Sequence, residues 1–283
     1  MDQQIINLYD EYTHKPLSRQ DFFRRLTKIV GSTVAATALL PILENNYASA
    51  AVTSDDELFT EYVTFPGVPN EMKAYVARPK KNKKYPVIIV IHENRGLNPH
   101  TEDVARRFAK EGYLAIAPNA LAALGKESAN EDEARKNFQE LKAEDNLKNF
   151  QNVFDYIKTR KDAKDKVGCV GYCWGGGMVN KLAVTIPDLK AGVAFYGAQP
   201  KPEEVPSIKA AILLHYGGLD ERINAGIPAY EEALKKNNIT YELYIYEGAN
   251  HAFFNDTSAA RYNADAAKLA WERTLKFFDK YLD

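Results

Sequence analysis

The segment Gly171-Tyr172-Cys173-Trp174-Gly175-Gly176 decides the fold, because it joins an apolar run to a helical pattern. The run Val167–Tyr172 is typical of a strand buried on both faces, and residues 176–186 have helical spacing. The segment has the form G-x-S-x-G with cysteine in place of serine, which is a sharp strand-to-helix turn that exposes a nucleophile. The positive end of the following helix favours a thiolate there. Cys173 is therefore a candidate nucleophile, and a glycine-rich turn beside a buried cysteine is the alternative.

Strands and helices alternate on both sides of this turn. Such alternation predicts a parallel sheet with helices on both of its faces, preceded by an opening hairpin. The predicted strands are Tyr62–Phe65, Met72–Arg78, Pro86–His92, Leu114–Pro118, Val167–Tyr172, Ala191–Tyr196, Ala210–His215 and Tyr241–Tyr246. The predicted helices are Thr101–Glu111, a long pattern over 131–160, then 176–186, 226–237 and Ala259–Tyr281. We expect one domain over residues 59–283, preceded by a helical extension over 1–58.

Composition excludes several classes of protein. The chain has 283 residues, of which 45% are hydrophobic and 27% charged, as in ordinary globular proteins. The net charge of −1 provides no basic field for nucleic acid. Cys169 and Cys173 lie four residues apart in one predicted strand, too far apart for a disulfide.

The N-terminal extension admits two interpretations. Ile5, Leu8, Tyr9 and Tyr12 recur at helical spacing. A basic region around Arg24-Arg25, an apolar stretch from Ile29 to Leu43 and the sequence Ala48-Ser49-Ala50 together resemble a secretory signal.

The other interpretation is a retained amphipathic helix, with Phe22, Leu26, Ile29 and Val30 on one face. The stretch is too short, and too polar at its edges, for a stable membrane span. We expect retention and hence a cytoplasmic protein; export through the signal-like segment is the alternative.

An acid and a base follow the candidate nucleophile in order along the chain. Asp220 comes after the strand Ala210–His215, and His251 comes after the strand Tyr241–Tyr246. Nucleophile, acid and base follow one another in this order in a hydrolase sheet. His251 would take the proton of Cys173 or pair with its thiolate, and Asp220 would fix the imidazole tautomer. The sequence therefore predicts a Cys173–Asp220–His251 triad.

Over about residues 60–283 the chain resembles the dienelactone hydrolase family of α/β-hydrolases. The motifs that carry the resemblance are GYCWGG at 171–176, GGLD at 217–220 and NHAF at 250–253. The resemblance implies the α/β-hydrolase fold and gives Glu93 the role of helping the thiol to ionise. The geometry of the turn predicts an oxyanion hole from the backbone N–H groups of Asn94 and Trp174.

Two positions depart from the family pattern. Ala123 and Asn255 stand where dienelactone-cleaving members carry arginines that anchor the substrate carboxylate. Arg95 is the nearby candidate to replace them. The aromatic side chains expected to form an apolar pocket instead are Trp174, Tyr196, Phe253 and Phe254. Substrates without a carboxylate are therefore favoured.

The sequence predicts a cofactor-independent hydrolase that opens a lactone or ester through a Cys173 thioester. N-acyl homoserine lactones and simple carboxylic esters fit the expected pocket. Alternatives are dienelactone hydrolysis with Arg95 as anchor, and a non-catalytic binding protein on the same scaffold. The five histidines show no paired ligand spacing, so no metal site is predicted. The expected partner is a small lactone or ester, without nucleic acid or a membrane span; a homodimer is possible.

Overall fold

The computed structural model describes residues 1–47, 53–126, 128 and 130–283. Its centre is an eight-stranded sheet with the order β1-β2-β4-β3-β5-β6-β7-β8. The strands are β1 (Leu58–Phe65), β2 (Met72–Pro79), β3 (Tyr85–Ile91), β4 (Leu114–Asn119), β5 (Ala163–Tyr172), β6 (Ala191–Phe195), β7 (Ala211–Gly217) and β8 (Tyr241–Tyr246). The second strand runs antiparallel to its two neighbours, and β3 to β8 are parallel. This is the α/β-hydrolase fold expected from the sequence, with the opening hairpin in place.

Ten α-helices lie in the described part of the chain. They are α1 (Gln3–His14), α2 (Arg19–Val30), α3 (Thr33–Leu43), α4 (Pro99–Lys110), α5 (Glu131–Phe138), α6 (Ala143–Thr159), α7 (Trp174–Thr185), α8 (Glu221–Asn224), α9 (Ile227–Lys236) and α10 (Ala264–Leu282). The pattern over 131–160, predicted as one helix, divides into α5 and α6. The apolar periodicity continues across residues 139–142, but the backbone does not remain helical there.

Two apolar layers enclose the sheet. Helices α6, α7 and α9 contribute Ile157, Val179 and Leu234 to one layer. Helices α4 and α10 contribute Val104 and Phe278 to the other. Because the strands between them are buried on both faces, the carboxyl ends of the parallel strands are fixed at one edge. Loops that follow strand ends at such an edge carry the sites of open α/β sheets.

The N-terminal extension forms a small helical unit with its own apolar core. Ser18 caps α2, which ends at Gly31 in the left-handed conformation that suits glycine. Tyr9, Phe22, Leu26 and Leu43 bury their side chains against one another. Phe22 and Leu26 thus lie on a buried face with Val30 packed against it, as the amphipathic pattern predicts, but Ile29 of the predicted face is exposed.

The signal-like features of the extension are only partly described. The sequence Ala48-Ser49-Ala50 lies outside the described residues. Within the described part, no single helix has both the length and the apolar character to cross a membrane. Helices α2 and α3 pass that test only as a pair, and they are bent by 116° at the break between them.

Candidate active site

Cys173 occupies a sharp turn between β5 and α7. Its φ of 56° and ψ of −114° are strained for a non-glycine residue. The Cys173 N–H donates to the Phe195 carbonyl at 3.0 Å, and this bond fixes the turn to the neighbouring strand. A side chain at Gly171 or Gly175 would collide with adjacent main-chain atoms, so glycine is required on both sides of the turn. The thiol therefore stands at the N-terminus of α7, in the geometry of a nucleophile elbow.

Asp220 and His251 come together beside this turn from the loops after β7 and β8. His251 Nδ1 lies 2.6 Å from Asp220 Oδ2, and both side chains are buried. The buried Nε2 of His251 finds no hydrogen-bond partner among the described residues. A ring nitrogen of His251 and the Cys173 sulfur lie within 4.8 Å of each other. The structure thus brings together the three residues of the predicted triad.

A second histidine, which sequence reasoning missed, contacts the thiol from the N-terminal extension. His14 Nε2 lies 3.1 Å from Cys173 Sγ. On its other side, His14 Nδ1 lies 2.8 Å from the Asp10 carbonyl and 3.1 Å from the Asp10 carboxylate. The His14 and His251 rings meet edge to face, with centroids 4.7 Å apart. The sequence offered one signal for this pair, because Asp10 and His14 lie four residues apart on a predicted helix and can contact each other. That spacing did not indicate that His14 would contact Cys173.

Electrostatics favour a charged sulfur between the two rings. Burial opposes ionisation of Cys173, but the His14 and His251 imidazoles lower its pKa to about 6. Burial opposes the charge of His251 as well, yet Asp10, the Cys173 thiolate and Asp220 raise its pKa to about 10. The pKa of His14 is also raised, because the thiolate and Asp10 outweigh its burial. Near neutral pH the site is therefore a thiolate beside protonated imidazole.

The Glu93 carboxylate is bound by other groups. Tyr196 Oη donates to Glu93 Oε1 at 3.3 Å, and Asn255 Nδ2 donates to Oε2 at 3.2 Å. Asn255, at one of the missing-arginine positions, thus holds Glu93 instead. The side-chain Nδ2 of Asn94 donates a hydrogen bond to the Thr13 carbonyl. Trp174 is the first residue of α7, and backbone N–H groups in the first turn of a helix have no acceptor within the helix. The Asn94 and Trp174 N–H groups remain the predicted oxyanion hole.

Of the other predicted pocket residues, Tyr196 borders the cavity that contains Cys173. Its ring lies 4.9 Å from that of His251. Phe253 and Phe254 are buried in the sheet core, against Tyr246 and Tyr172 respectively. Those two phenylalanines therefore serve core packing rather than the pocket wall, because the loop after β8 turns their side chains inward.

Asn94 holds the Arg95 guanidinium, and Ala123 has no group that could anchor a carboxylate. The Arg95 guanidinium donates to Asn94 Oδ1 at 2.7 Å and to the Asn94 carbonyl at 3.1 Å. It borders a broad surface cleft of about 1200 Å³ and a gap of about 10 Å³ behind the thiol, which is too small for a substrate. Ala123 is buried in the core, so its position is filled by packing rather than by a substrate contact.

The cavity above Cys173 has a volume of about 390 Å³. Phe138, Trp174 and Tyr196 provide aromatic walls, and Arg135 and Arg222 also line the space. Sequence reasoning missed both arginines. Arg222 could have been found, because it follows Asp220 by two residues in the acid loop; Arg135 lies on α5 and carries no local signal.

Three atoms of types that can bind a metal ion lie close together at the site. His14, Cys173 and His251 each place one nitrogen or sulfur within 4.8 Å of the others. The absence of a metal stays a prediction; the group is assembled from three distant segments, which sequence spacing does not reveal. A nucleophilic role requires the same sulfur to be free of metal.

Comparison with known proteins agrees with this geometry. Residues 72–282 match the dienelactone hydrolase family. A "Putative carboxymethylenebutenolidase" of Saccharolobus solfataricus is 34% identical, over 73% of this chain and 93% of its own. Another protein of that name from Synechocystis is also 34% identical, over 80% of this chain and 98% of its own.

Solved structures give the same relationship. The crystal structure of a "Putative Dienelactone Hydrolase" from Klebsiella pneumoniae is 30% identical and superposes with a TM-score of 0.71. The match covers 79% of this chain and 99% of that one. The chain therefore belongs to the dienelactone hydrolase family and is an α/β-hydrolase that cleaves ester or lactone bonds.

Proposed function

We propose that Cys173 attacks the carbonyl carbon of a lactone or ester and forms a thioester, with Asp220 and His251 completing the triad. The observation that carries this proposal is the buried pair of His251 and Asp220, 2.6 Å apart, beside a strained thiol at a helix N-terminus. A carboxylate-oriented imidazole next to a nucleophile is the arrangement that covalent acyl transfer requires.

The reaction proceeds in two halves. The Cys173 thiolate forms a C–S bond, and the carbonyl π electrons move to oxygen, where the Asn94 and Trp174 N–H groups stabilise the charge. As the C–O bond breaks, His251 Nε2 gives its proton to the leaving alkoxide. Neutral His251 then takes a proton from water, the hydroxide attacks the thioester, and the C–S bond breaks to restore the thiolate. One water is consumed, and one acid and one alcohol are formed; a lactone gives both on one molecule.

Neutral acyl substrates fit the cavity best. Arg222 Nε is bound to Asp10 at 3.0 Å, and Arg135 Nη1 donates to the Tyr12 carbonyl at 2.7 Å. Because the Arg222 charge is already paired with the Asp10 carboxylate, a substrate carboxylate would have to compete for it. A second cavity of about 490 Å³, which shares Trp174 with the first, is lined by Leu147 and Met178 and offers room for an acyl chain. N-acyl homoserine lactones, used in quorum signalling, and medium-chain esters have this chemistry.

Dienelactone hydrolysis is the second candidate. The observation that favours it is the position of Arg135 and Arg222 on the wall of the cavity that contains Cys173. If a substrate carboxylate displaced Asp10 from Arg222, it would gain a charge-assisted anchor. Arg222 and Arg135 would then perform the role expected of Arg95.

A substrate panel distinguishes the two candidates. We expect kcat/KM to be higher for a medium-chain acyl homoserine lactone or p-nitrophenyl ester than for dienelactone, and to rise with acyl length until the cavity is filled. The same panel on Cys173→Ala gives the background. A clear preference for dienelactone, lost in Arg222→Gln, would establish the second candidate instead.

A further inference from the structure

We propose that His14 is a second catalytic histidine, which helix α1 supplies to stabilise the Cys173 thiolate while His251 transfers the proton. This inference rests on the proposed thioester mechanism and deepens it. It assigns to the N-terminal extension the assisting role that the resemblance gave Glu93.

A second imidazole with an oxygen acceptor on its Nδ1 faces the sulfur from the other side. His251 Nδ1 bonds to the Asp220 carboxylate at 2.6 Å, whereas His14 Nδ1 bonds to the Asp10 backbone carbonyl at 2.8 Å, with the Asp10 carboxylate 3.1 Å away. In each case Nε2 is then free to face the thiol, and for His14 the distance to Sγ is 3.1 Å. An oxygen acceptor on Nδ1, whether carboxylate or backbone carbonyl, fixes the tautomer and the ring orientation and makes the second nitrogen more basic.

Two helix ends support the charges on the two partners. His14 is the last residue of α1, where the negative end of a helix favours a cation. Cys173 precedes the first residue of α7, where the positive end favours an anion. The ends of opposite sign therefore meet at the contact between imidazole and sulfur, which favours the ion pair over the neutral pair.

The charges that face the thiol are balanced when both histidines are protonated. The thiolate, Asp10 and Asp220 then oppose His14, His251 and Arg222. Glu93, Arg95 and Arg261 border the gap behind the thiol and add charges of both signs, while Tyr196 stays neutral because burial raises its pKa. Counted with the one negative and two positive charges of that gap, the cluster is neutral with one histidine protonated and carries one positive charge with both, so in neither state is a net negative charge buried.

This arrangement divides two tasks between the histidines. His251 loses its proton to the leaving alkoxide and regains one from water, as in the proposed reaction. His14 keeps its proton throughout, so the sulfur is paired with a cation when it attacks and again when it leaves the thioester. In a triad with one histidine, the same imidazole must both transfer the proton and pair with the charged sulfur.

Glu93 does not hold the thiol in this way. Its oxygens accept from Tyr196 and Asn255, at 3.3 and 3.2 Å. A carboxylate in contact with a thiolate would also repel it, whereas an imidazolium attracts it.

The test uses full-length His14→Gln, with Tyr12→Phe as the matched control. Tyr12 lies on the same helix and bonds to Asp132, away from the sulfur, so its variant perturbs the anchoring of α1 alone. Two quantities are measured against pH: the rate of alkylation by iodoacetamide and kcat/KM for the best ester. Cys173→Ala gives the alkylation background from Cys169, and thermal unfolding shows whether each variant is folded.

We expect the alkylation rate of His14→Gln near pH 6 to fall about tenfold, and to approach the wild-type rate at high pH, because the thiol pKa rises by about one unit. The acid limb of kcat/KM should move upward by the same amount. Added imidazole should restore part of the activity of His14→Ala, and Tyr12→Phe should keep the wild-type profile.

The proposal would be overturned if His14→Gln kept the wild-type pH profile and differed only in a higher KM. Helix α1 would then be only a cover for the cavity. A shift of equal size in Tyr12→Phe would overturn it as well. Neither result would affect the thioester mechanism, which is tested separately by the activity of Cys173→Ala.

Discussion

The sheet domain and the N-terminal extension each bring an imidazole and a carboxylate to Cys173, but they hold them differently. The pair from the sheet domain, Asp220 and His251, is buried at the ends of parallel strands. The pair from the extension lies on α1, which joins the sheet domain through polar contacts such as Gln3 to Asn250 and Asn94 to the Thr13 carbonyl. The apolar core of the sheet domain fixes one pair, whereas the smaller core of the extension and individual polar contacts to the sheet domain fix the other. The triad should therefore survive perturbations that move His14 away.

The largest expected effect is that of Cys173→Ala. Removal of the nucleophile eliminates the acyl-enzyme route, so kcat/KM should fall by about 10⁴-fold or more. Steady-state hydrolysis of the best ester measures this. Cys169→Ala is the control, because Cys169 is buried and burial raises its pKa far above the ordinary range. If both variants lost the same activity, packing around β5 rather than the nucleophile would explain the loss.

Substitutions of the two carboxylates, Asp220 and Asp10, should have the next largest effects on activity. Asp220→Asn should lower kcat by about 10³- to 10⁴-fold, since the imidazole that transfers protons loses its orienting partner. Asp10→Asn should cost only about tenfold, since Asp10 acts through His14 on the charge of the sulfur. A loss for Asp10→Asn as large as that for Asp220→Asn would place the extension, not the sheet domain, at the centre of catalysis.

The pH profile of wild-type kcat/KM should form a plateau between about 6 and about 10. Below the lower value the thiol is protonated and cannot attack, so activity falls about tenfold per pH unit. Above the upper value His251 loses its proton and cannot protonate the leaving alkoxide. A profile whose acid limb lay near the ordinary thiol pKa of about 8.5 would show that no imidazolium stabilises the sulfur.

Leucine truncation in each core compares the two regions directly. Leu26 in the extension and Leu234 on α9 are both fully buried. Each Leu→Ala change should cost about 2–5 kcal/mol of local or global unfolding free energy. Leu26→Ala should loosen α1 and raise the acid limb of kcat/KM, whereas Leu234→Ala should leave the acid limb in place. Hydrogen exchange and the pH profile together check this; equal shifts in both variants would contradict it.

The smallest effect is expected for Glu93→Gln. Its hydrogen bonds go to Tyr196 and Asn255, so the amide should preserve most of the site and change kcat/KM only a few-fold. Iodoacetamide alkylation against pH is the measurement. A thiol profile that moved as far as in His14→Gln would return to Glu93 the role implied by the family resemblance.

The sheet domain could be predicted because its signals are local. The turn around Cys173, the alternation of strands and helices, and the position of Asp220 and His251 after strands all follow from short patterns whose geometry is fixed by parallel pairing. The break between α5 and α6 was missed because an amphipathic period can continue across a kink.

The extension contributes a residue that no local pattern could assign. His14 faces the sulfur only because α1 folds back over strand ends more than 150 residues away in the chain. Arg135 reaches the cavity in the same way, from a helix with no motif. Phe253 and Phe254 show the opposite error, since aromatic residues beside a catalytic loop are as suited to the core as to a pocket.

The central claim is that Cys173 carries the acyl group during turnover. Rapid acid quenching of the enzyme with its best ester, followed by intact-mass and peptide-mass measurement, tests it most directly. We predict a mass increase equal to the acyl group, located on the peptide that contains Cys173 and absent in Cys173→Ala. Hydrolysis by Cys173→Ala at the wild-type rate, or an acyl group on any other residue, would contradict the account.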